Sequence, residues 1–280
     1  MSRLFAYMAN DPARIACALH PIRAHLVVDA KGANIDSWGI GFYQGEVLLQ
    51  RRPKAPADVL DFYAQVRELR TDALIAHARA GTVGKPKNEN THPFRFRSWL
   101  FAHHGTLPRF GEVKAELMST VPDFLARNLR GDTDSEHLFH LFLAHLHESG
   151  RLDDSHVSTQ IVQEALAKTF ARVESLVGRE QARAAECAVA LTNGRVMLAT
   201  RHGAPAYVCS VQSITDCPVC RETTPQAGRP PKRIDHEHLR AAIVIADCPT
   251  PPPPGAREVP DHAFVSVAHD LSTAFTPIYS

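Results

Sequence analysis

The sequence predicts an α+β domain in which antiparallel sheets and helices form separate layers. Many short apolar runs have the length of strands, only a few patterns have the length of long helices, and the two do not alternate regularly. Regular alternation would instead predict a doubly wound parallel sheet. With 280 residues, the chain is long enough to bury one large core or two small ones.

Turn and cap signals define the elements of the first part of the chain. Asp11-Pro12 places an N-cap before proline at the first helical position, and Gly45 separates two strand candidates. Behind Pro56, apolar residues recur at helical spacing. The predicted elements are a buried strand at 3–9, a helix from Asp11 to Leu19, paired strands at 38–43 and 46–51, and a helix at 57–70.

Two apolar runs in the middle of the chain end in histidine, at His77 and at His103-His104, with an irregular proline-bearing stretch at 81–95 between them. Asn193-Gly194 is the strongest short-range hairpin signal in the sequence. The elements predicted from here on are strands at 73–78, 99–102, 187–192, 195–200, 206–211, 241–246 and 263–267, and helices around 138–146 and 161–173.

The expected organisation is a single domain over residues 2–280. The proline-rich stretches 216–235 and 249–257 are predicted to be surface loops.

Composition excludes several classes of protein. The formal charge is +1 with both signs mixed along the chain, so no basic stripe suggests nucleic acid. No apolar run approaches the ~18 residues that a membrane span requires, and no secretory signal pattern is visible. Six cysteines in a chain of this size favour a reduced, cytoplasmic setting over a disulfide scaffold.

Ser2 is a candidate nucleophile because removal of Met1 would leave its hydroxyl beside a free α-amine. An α-amine has a pKa near ~8 and can accept a proton at neutral pH. The N-terminal amine is a known activator of hydroxyl nucleophiles. A serine after the initiator methionine is common, however, so the rest of the chain must decide.

Six short motifs in order resemble the class II glutamine amidotransferases, which belong to the N-terminal nucleophile hydrolases, and in particular the stand-alone branch that includes γ-glutamyl hydrolases. The motifs are Met1-Ser2-Arg3-Leu4-Phe5-Ala6-Tyr7, Asp36-Ser37-Trp38-Gly39-Ile40-Gly41-Phe42-Tyr43, Ala76-His77-Ala78-Arg79, Asn90-Thr91-His92-Pro93-Phe94, Phe101-Ala102-His103-His104-Gly105 and Gly131-Asp132-Thr133-Asp134-Ser135-Glu136. The resemblance implies a four-layer αββα sandwich of two antiparallel sheets.

The resemblance also implies roles for individual residues. The arginine matching Arg79 grips the substrate α-carboxylate in relatives, as a planar guanidinium can; a surface arginine closing a strand is the alternative. Asp134 would bind the α-ammonium, or cap the helix beginning at Ser135. His92 would line the pocket or close a turn. Trp38 and Gly39 would shape the pocket floor, or form a core tryptophan beside a tight backbone approach.

Three positions depart from the family pattern. Relatives carry cysteine where Ser2 stands, and a serine hydroxyl depends wholly on its base. They carry asparagine where His104 stands, as a donor to the oxyanion together with the backbone N–H of Gly105. Loss of one such donor costs roughly 10²–10³ in turnover. Ser37 replaces the usual glycine of its motif. The site could therefore be catalytically impaired.

Cys217-Pro218-Val219-Cys220 is a second chemical candidate, since Cys-x-x-Cys is half of a zinc site. His236 and His238 could supply the other half, although the His-x-His spacing is unlike that of zinc fingers. A redox pair and two unlinked loop thiols are the alternatives.

The favoured function is hydrolysis of a γ-glutamyl amide, either glutamine or a γ-glutamyl conjugate, with no cofactor. The alternative is an impaired module that binds a γ-glutamyl ligand or partner without turnover. The expected partners are a small-molecule substrate and, in one version, a separate ammonia-accepting or peptidase subunit, but neither nucleic acid nor a membrane.

Overall fold

Antiparallel strands form two large sheets in the computed structural model, which describes residues 3–54, 58–221, 233–247 and 251–279. The strands are β1 (Arg3–Ala9), β2 (Val27–Asp29), β3 (Ser37–Gln44), β4 (Glu46–Arg52), β5 (Val59–Asp61), β6 (Ala73–Arg79), β7 (Phe94–Phe96), β8 (Trp99–Gly105), β9 (Cys187–Thr192), β10 (Met197–Arg201), β11 (Ala206–Val211), β12 (Ala241–Ala246), β13 (Arg257–Glu258), β14 (Ala263–Val267) and β15 (Thr273–Pro277).

The α-helices lie mainly between β8 and β9 in the chain. They are α1 (Ile15–Leu19), α2 (Phe62–Val66), α3 (Phe110–Met118), α4 (Asp123–Ala126), α5 (Asp134–Glu148), α6 (Thr159–Val177) and α7 (Arg179–Ala184). Short 3₁₀ helices span His20–Leu26 and Asn88–Asn90. No helix in the described ranges combines the length and apolar content needed to cross a membrane.

The strand order is β13-β11-β12-β1-β6-β3-β4 in a seven-stranded sheet and β15-β14-β10-β9-β8-β7 in a six-stranded sheet. Strand alternation divides each sheet into two apolar faces. On β1, Leu4, Ala6 and Met8 join the core between the sheets. Phe5 and Tyr7 face outward into the core that α1 and α2 cover.

The longer helices α3, α5 and α6 cover the outer face of the six-stranded sheet, where Phe101 stacks on Phe139 with ring centroids 5.0 Å apart. Helices outside two face-to-face sheets give the predicted αββα order. The fold class expected from the family resemblance is confirmed.

Two predicted helices are shorter than their patterns suggested. Asp11 accepts the backbone N–H of Ala13 at 2.9 Å, but α1 begins only at Ile15. In the 57–70 pattern, Val59–Asp61 forms a strand paired with β2, and the Asp61 side chain caps α2 by accepting from the Ala64 N–H at 3.1 Å. Because Asp61 is the N-cap, the helix begins only at Phe62. The three residues before it are in a strand because they pair with β2.

The surface loops at 216–235 and 249–257 stay a prediction, although the Cys217 side chain is fully buried in the core beside α1. Residues 222–232 and 249–250 lie outside the described part of the chain. The assignment of 2–280 to a single domain stays a prediction.

Candidate active site

The candidate site lies where β6 and β8 end, one strand from each sheet. His77 and Arg79 alternate with the outward-facing Ala76 and Ala78, so both lie on the face toward the other sheet. On β8, Leu100 and Ala102 face the core between the sheets, which places His104 on that face too. Antiparallel pairing of β1 with β6 sets Arg3 opposite Ala78, so the N-terminal end of β1 reaches the same edge.

A small pocket collects most of the residues implied by the resemblance. Its lining among the described residues includes Arg79, His92, His104, Gly105 and Asp134, and its volume is about 20 Å³, room for roughly one water molecule. Ala80, Thr82, His104 and Gly105 also border an adjoining open groove of about 400 Å³. Ser2 lies outside the described residues, so its position relative to the pocket stays a prediction.

Arg79 is buried and already paired. Its Nη1 donates to Asp36 Oδ2 at 2.6 Å, and Nη2 donates to the carbonyl oxygens of Val83 and Gly84 at 2.5 and 3.0 Å. The backbone N–H of Asp36 in turn donates to the Arg79 carbonyl at 2.8 Å. Gly81 packs against the ion pair, where an added Cβ would clash with both partners. The segment after β6 therefore wraps the guanidinium.

Asp134 is also held by the protein. Its Oδ2 accepts the backbone N–H of Leu107 at 2.7 Å, and Oδ1 accepts that of Ser135 at 2.9 Å. The N-cap of α5 is Thr133, whose side chain accepts from the Glu136 N–H, so the alternative reading of Asp134 as the N-cap is wrong. Asp134 stands one residue later, in the first turn, where the helix dipole favours a carboxylate.

His92 and His77 form a buried ring pair beside Arg79, with centroids 4.4 Å apart. All four ring nitrogens are buried without a hydrogen-bond partner in the described part of the chain. Burial, followed by the neighbouring histidines and Arg79, holds the pKa of both imidazoles well below 6.5. Both rings are therefore neutral at pH 7.

His103 and His104 face opposite ways because side chains alternate along β8. His103 Nδ1 shares a 2.9 Å hydrogen bond with Ser135 Oγ, and burial lowers its pKa to about 4. Burial also lowers the pKa of His104, against the nearby carboxylates of Asp247 and Glu186, which raise it. A neutral His104 ring can donate one N–H.

Gly105 has φ of 137°, a conformation that other residues rarely adopt, and a Cβ there would collide with the Glu186 carbonyl. The backbone can take this course beside the pocket only with glycine at position 105.

Trp38 does not line the pocket. It lies on the outward face of β3, in edge contact with Phe62 of α2 at 6.2 Å between centroids. Gly39 faces the other way, and a Cβ there would clash with the His92 carbonyl. The alternative reading, a core tryptophan beside a tight backbone approach, describes both residues.

Sequence reasoning missed Asp36 and Asp247 as site residues. Asp36 stands in a quoted motif, but only the fold shows that it pairs with Arg79. Asp247 follows the buried strand β12, whose Ala246 pairs with Leu4, so it lies near the start of β1. It is buried, and none of the described residues forms a hydrogen bond with its Oδ2. An acidic residue directly after a wholly apolar strand was the available signal.

Comparison with known proteins agrees with this geometry. The profile of the family described as glutamine amidotransferases class-II matches residues 1–212. This chain therefore belongs to the class II glutamine amidotransferase family.

Two curated relatives match over shorter segments. One is a probable glutamine amidotransferase, DUG3, of Saccharomyces cerevisiae, 32% identical over 36% of this chain and 29% of that protein. The other is a gamma-glutamyl-hercynylcysteine sulfoxide hydrolase of Mycobacterium tuberculosis, 36% identical over 27% of this chain and 34% of that protein. The matched segments span about a third of each relative's length.

A solved structure of a glutamine aminotransferase class-II domain protein from Silicibacter pomeroyi has a similar fold. It covers 99% of this chain and 100% of its own, with a TM-score of 0.57 and 20% identity. The crystal structure of a predicted glutamine amidotransferase from Pseudomonas aeruginosa is also similar, with a TM-score of 0.52 and 20% identity. The match covers 96% of this chain and 93% of that chain.

Proposed function

We propose that this protein hydrolyses the amide bond of glutamine or of a γ-glutamyl conjugate, with Ser2 as the nucleophile. The supporting observation is the convergence of Arg79, His104, Gly105 and Asp134 on one pocket at the edge where β1 begins. These residues come from three separate motifs. The printed names of the yeast and mycobacterial relatives support the same class of substrate.

In this mechanism, Met1 is removed and the α-amine of Ser2 takes the hydroxyl proton as Oγ attacks the γ-carbonyl carbon. The amine then gives that proton to the departing amine or ammonia, which leaves a γ-glutamyl ester on Oγ. Water attacks the ester carbonyl carbon as the α-amine takes a proton from it; the bond to Oγ then breaks, the amine returns the proton to Oγ, and glutamate leaves. An amine with a pKa near ~8 can act in both directions at neutral pH.

Arg79 and Asp134 would clamp the two charges of the glutamyl head group. A charge-assisted bond of this kind contributes roughly 1.5–3 kcal/mol. Because the pocket has room for about one water, binding requires the segment around Gly81 to Gly84 to move, so that Arg79 exchanges carbonyl contacts for the substrate carboxylate. Leaving groups larger than ammonia would extend into the adjoining groove.

The backbone N–H of Gly105 and one ring N–H of His104 would hold the oxyanion. Burial lowers the pKa of His104 below 6.5, so the ring is neutral at pH 7 and can donate one N–H. A separate ammonia-accepting or peptidase subunit and a cytoplasmic setting stay predictions.

Substitutions at residue 2 test the proposal, with release of glutamate from glutamine and from glutathione as the measurement. Ser2→Ala should abolish release, since it removes the nucleophile and keeps the fold. Ser2→Cys should raise the rate, because a thiol with a pKa near ~8.5 supplies some thiolate at neutral pH. Intact mass must first show that Met1 is absent, since a retained Met1 buries the amine in a peptide bond.

A Ser2→Ala variant as active as the wild type would overturn the proposal. If wild type and Ser2→Cys are both inert although Met1 is removed, the non-catalytic binding module is the correct reading.

Asp134→Asn tests the head-group clamp separately, because it removes a charge and keeps the acceptor that holds the Leu107 N–H. We expect the KM for glutamine to rise about 10- to 100-fold, at ~1.4 kcal/mol per decade. The thermal midpoint should fall by only a few degrees, because the amide nitrogen cannot accept the Ser135 N–H that Oδ1 of Asp134 accepts. An unchanged KM would remove Asp134 from the clamp.

A further inference from the structure

Four potential metal ligands meet on the outer side of the seven-stranded sheet, away from the Arg79 pocket. They are Cys17 on α1, Cys217 and Cys220 in the turn after β11, and His236 just before β12, called here the Cys–His cluster. Their ligand atoms all lie within 4.8 Å of one another. Cys17 and Cys220, 203 residues apart in sequence, have sulfur atoms 3.4 Å apart.

Only part of this cluster follows the sequence prediction. Cys217, Cys220 and His236 were expected together, but His238 is exposed and Cys17 takes its place. The chain turns directly after its bridge at His236, so His238 does not follow on the same face.

Backbone hydrogen bonds fix the relative positions of the three later ligands. The Cys217 carbonyl accepts the N–H groups of Cys220 and Arg221 at 3.2 and 2.9 Å. The Cys217 N–H donates to the Ile234 carbonyl at 2.8 Å, and Ile214 and His236 exchange two bonds at 2.8 and 3.2 Å. The described ends of the 214–236 segment are thus tied together and against α1.

The side chains of the cluster include nitrogen and sulfur atoms that could bind a ligand and that the described protein groups leave available. His236 Nε2 is buried and has no hydrogen-bond partner within residues 3–54, 58–221, 233–247 and 251–279. Cys17 and Cys217 are buried, and all three cysteines are free thiols. A buried polar atom without a partner is destabilising, so the arrangement calls for a bound group.

We propose that Cys17, Cys217, Cys220 and His236 bind one structural zinc ion. Three cysteines and one histidine form a known structural zinc set, and thiolates select soft metals. Zn–S bonds of about 2.3 Å and Zn–N bonds of about 2.0 Å imply tetrahedral edges near 3.5–3.8 Å. The 3.4 Å sulfur separation is close to that edge, and shifts of about 1 Å would close the longest separations.

Charge supports the assignment. Three thiolates and Zn²⁺ leave one negative charge, and Arg14 Nη1 lies 3.6 Å from Cys220 Sγ, where it can donate to a thiolate. Four protein ligands leave no open position, so the ion has a structural role. It joins α1 to the segment between β11 and β12, and the proposal does not depend on the reaction at the Arg79 pocket.

Metal analysis of the purified full-length protein tests the proposal. We expect one zinc ion per chain by elemental analysis and by native mass spectrometry. Cys17→Ser should reduce zinc to background, because it removes the ligand that sequence spacing alone does not suggest. Cys209→Ser is the matched control, since Cys209 is a buried thiol of the same core outside the cluster, and it should keep one zinc per chain.

The wild-type protein gives a second readout if the Cys17 variant does not fold. After chelation under reducing conditions, Co²⁺ should bind once per chain with the intense charge-transfer and d–d bands of a tetrahedral thiolate site. Arg14→Ala should weaken zinc binding about 10-fold, as loss of an outer hydrogen bond to a ligand does.

Wild-type protein that carries no zinc and binds neither Zn²⁺ nor Co²⁺ with reduced thiols would overturn the proposal. So would a Cys17–Cys220 disulfide in protein purified with reductant, or a Cys17→Ser variant that retains one zinc ion.

Discussion

The Arg79 pocket and the Cys–His cluster both assemble polar groups from distant parts of the chain, but they satisfy those groups differently. In the pocket, Arg79 is bonded to Asp36, Val83 and Gly84, and Asp134 accepts two backbone N–H groups. In the cluster, sulfur atoms lie beside one another, and His236 Nε2 has no partner among the described residues. The two charged groups of the pocket are therefore paired without a ligand, although the rings of His77 and His92 beside them are not hydrogen-bonded by described residues. In the cluster, three thiols and an imidazole instead converge where a metal ion would bind.

This difference fits the two proposed roles. A substrate site must persist empty between turnovers, so its charges need protein partners that a substrate can replace. A structural metal is bound throughout the life of the fold, so its ligands need no substitute partners.

The largest effect expected from breaking the pocket's internal pairing is at Asp36. Asp36→Ala leaves the buried guanidinium of Arg79 without its carboxylate, and we expect a loss of roughly 3–5 kcal/mol in the free energy of unfolding. Urea unfolding of the purified protein measures it.

The control is an ion pair of similar length at the surface. Lys87 Nζ lies 2.8 Å from Asp132 Oδ2, with both side chains well exposed, so Asp132→Ala should lower the stability far less than Asp36→Ala does. Equal losses in the two variants would mean that the Arg79 pair carries no special role in folding.

The sequence predicted several strands well because their signals are local. β1, β11, β12 and β14 have the bounds that their apolar runs indicated, and Arg79, His104 and Asp134 were identified from short motifs. Their partners were not identified, because Asp36 and Asp247 reach the pocket only through strand pairing across the sheet. Trp38 was assigned to the pocket although alternation along β3 turns it to the other face.

The cluster shows the opposite case. Cys-x-x-Cys gave a local signal for two ligands, but no short spacing connects Cys17 to it. The packing of α1 against the turn after β11 brings the third sulfur in, and sequence periodicity does not specify such helix-to-loop contacts.

An effect at least as large is expected from pH, through the buried histidines around and behind the pocket. Burial lowers the pKa of His103 and of His140 to about 4. The unfolded chain binds these protons below about pH 6.5, whereas the folded chain does not until about pH 4. Stability is thus intact above pH 6.5 and falls as the pH drops through this window, by about 1.4 kcal/mol per pH unit for each histidine.

The free energy of unfolding, measured with urea at pH 7, 6 and 5, should show this slope. His140→Gln removes one of the titrating groups and should reduce the slope by about 1.4 kcal/mol per pH unit. His140 is suited to the test because it lies within α5, where its Nδ1 donates to the Glu136 carbonyl at 2.8 Å. The exposed His156 provides the control, since His156→Gln should leave the slope unchanged. A wild-type stability that is flat from pH 7 to 5 would contradict the argument.

The smallest effect is expected at Ser37, which lies directly beside Asp36 in the chain. Its buried hydroxyl donates to Asp36 Oδ1 at 2.8 Å, while the other oxygen of that carboxylate accepts from Arg79. Ser37→Ala should cost about 1 kcal/mol for the hydrogen bond, and Ser37→Gly about 0.5–1 kcal/mol more for the freedom of glycine in a strand. Either change removes a hydrogen bond that holds Asp36 in place. Arg79 should then give up its contact with Asp36 more readily and bind a substrate carboxylate, so the KM for glutamine should fall. A Ser37→Ala variant with unchanged stability and unchanged KM would show that the hydroxyl has no part in holding the ion pair, and that serine at this position is neutral for the pocket.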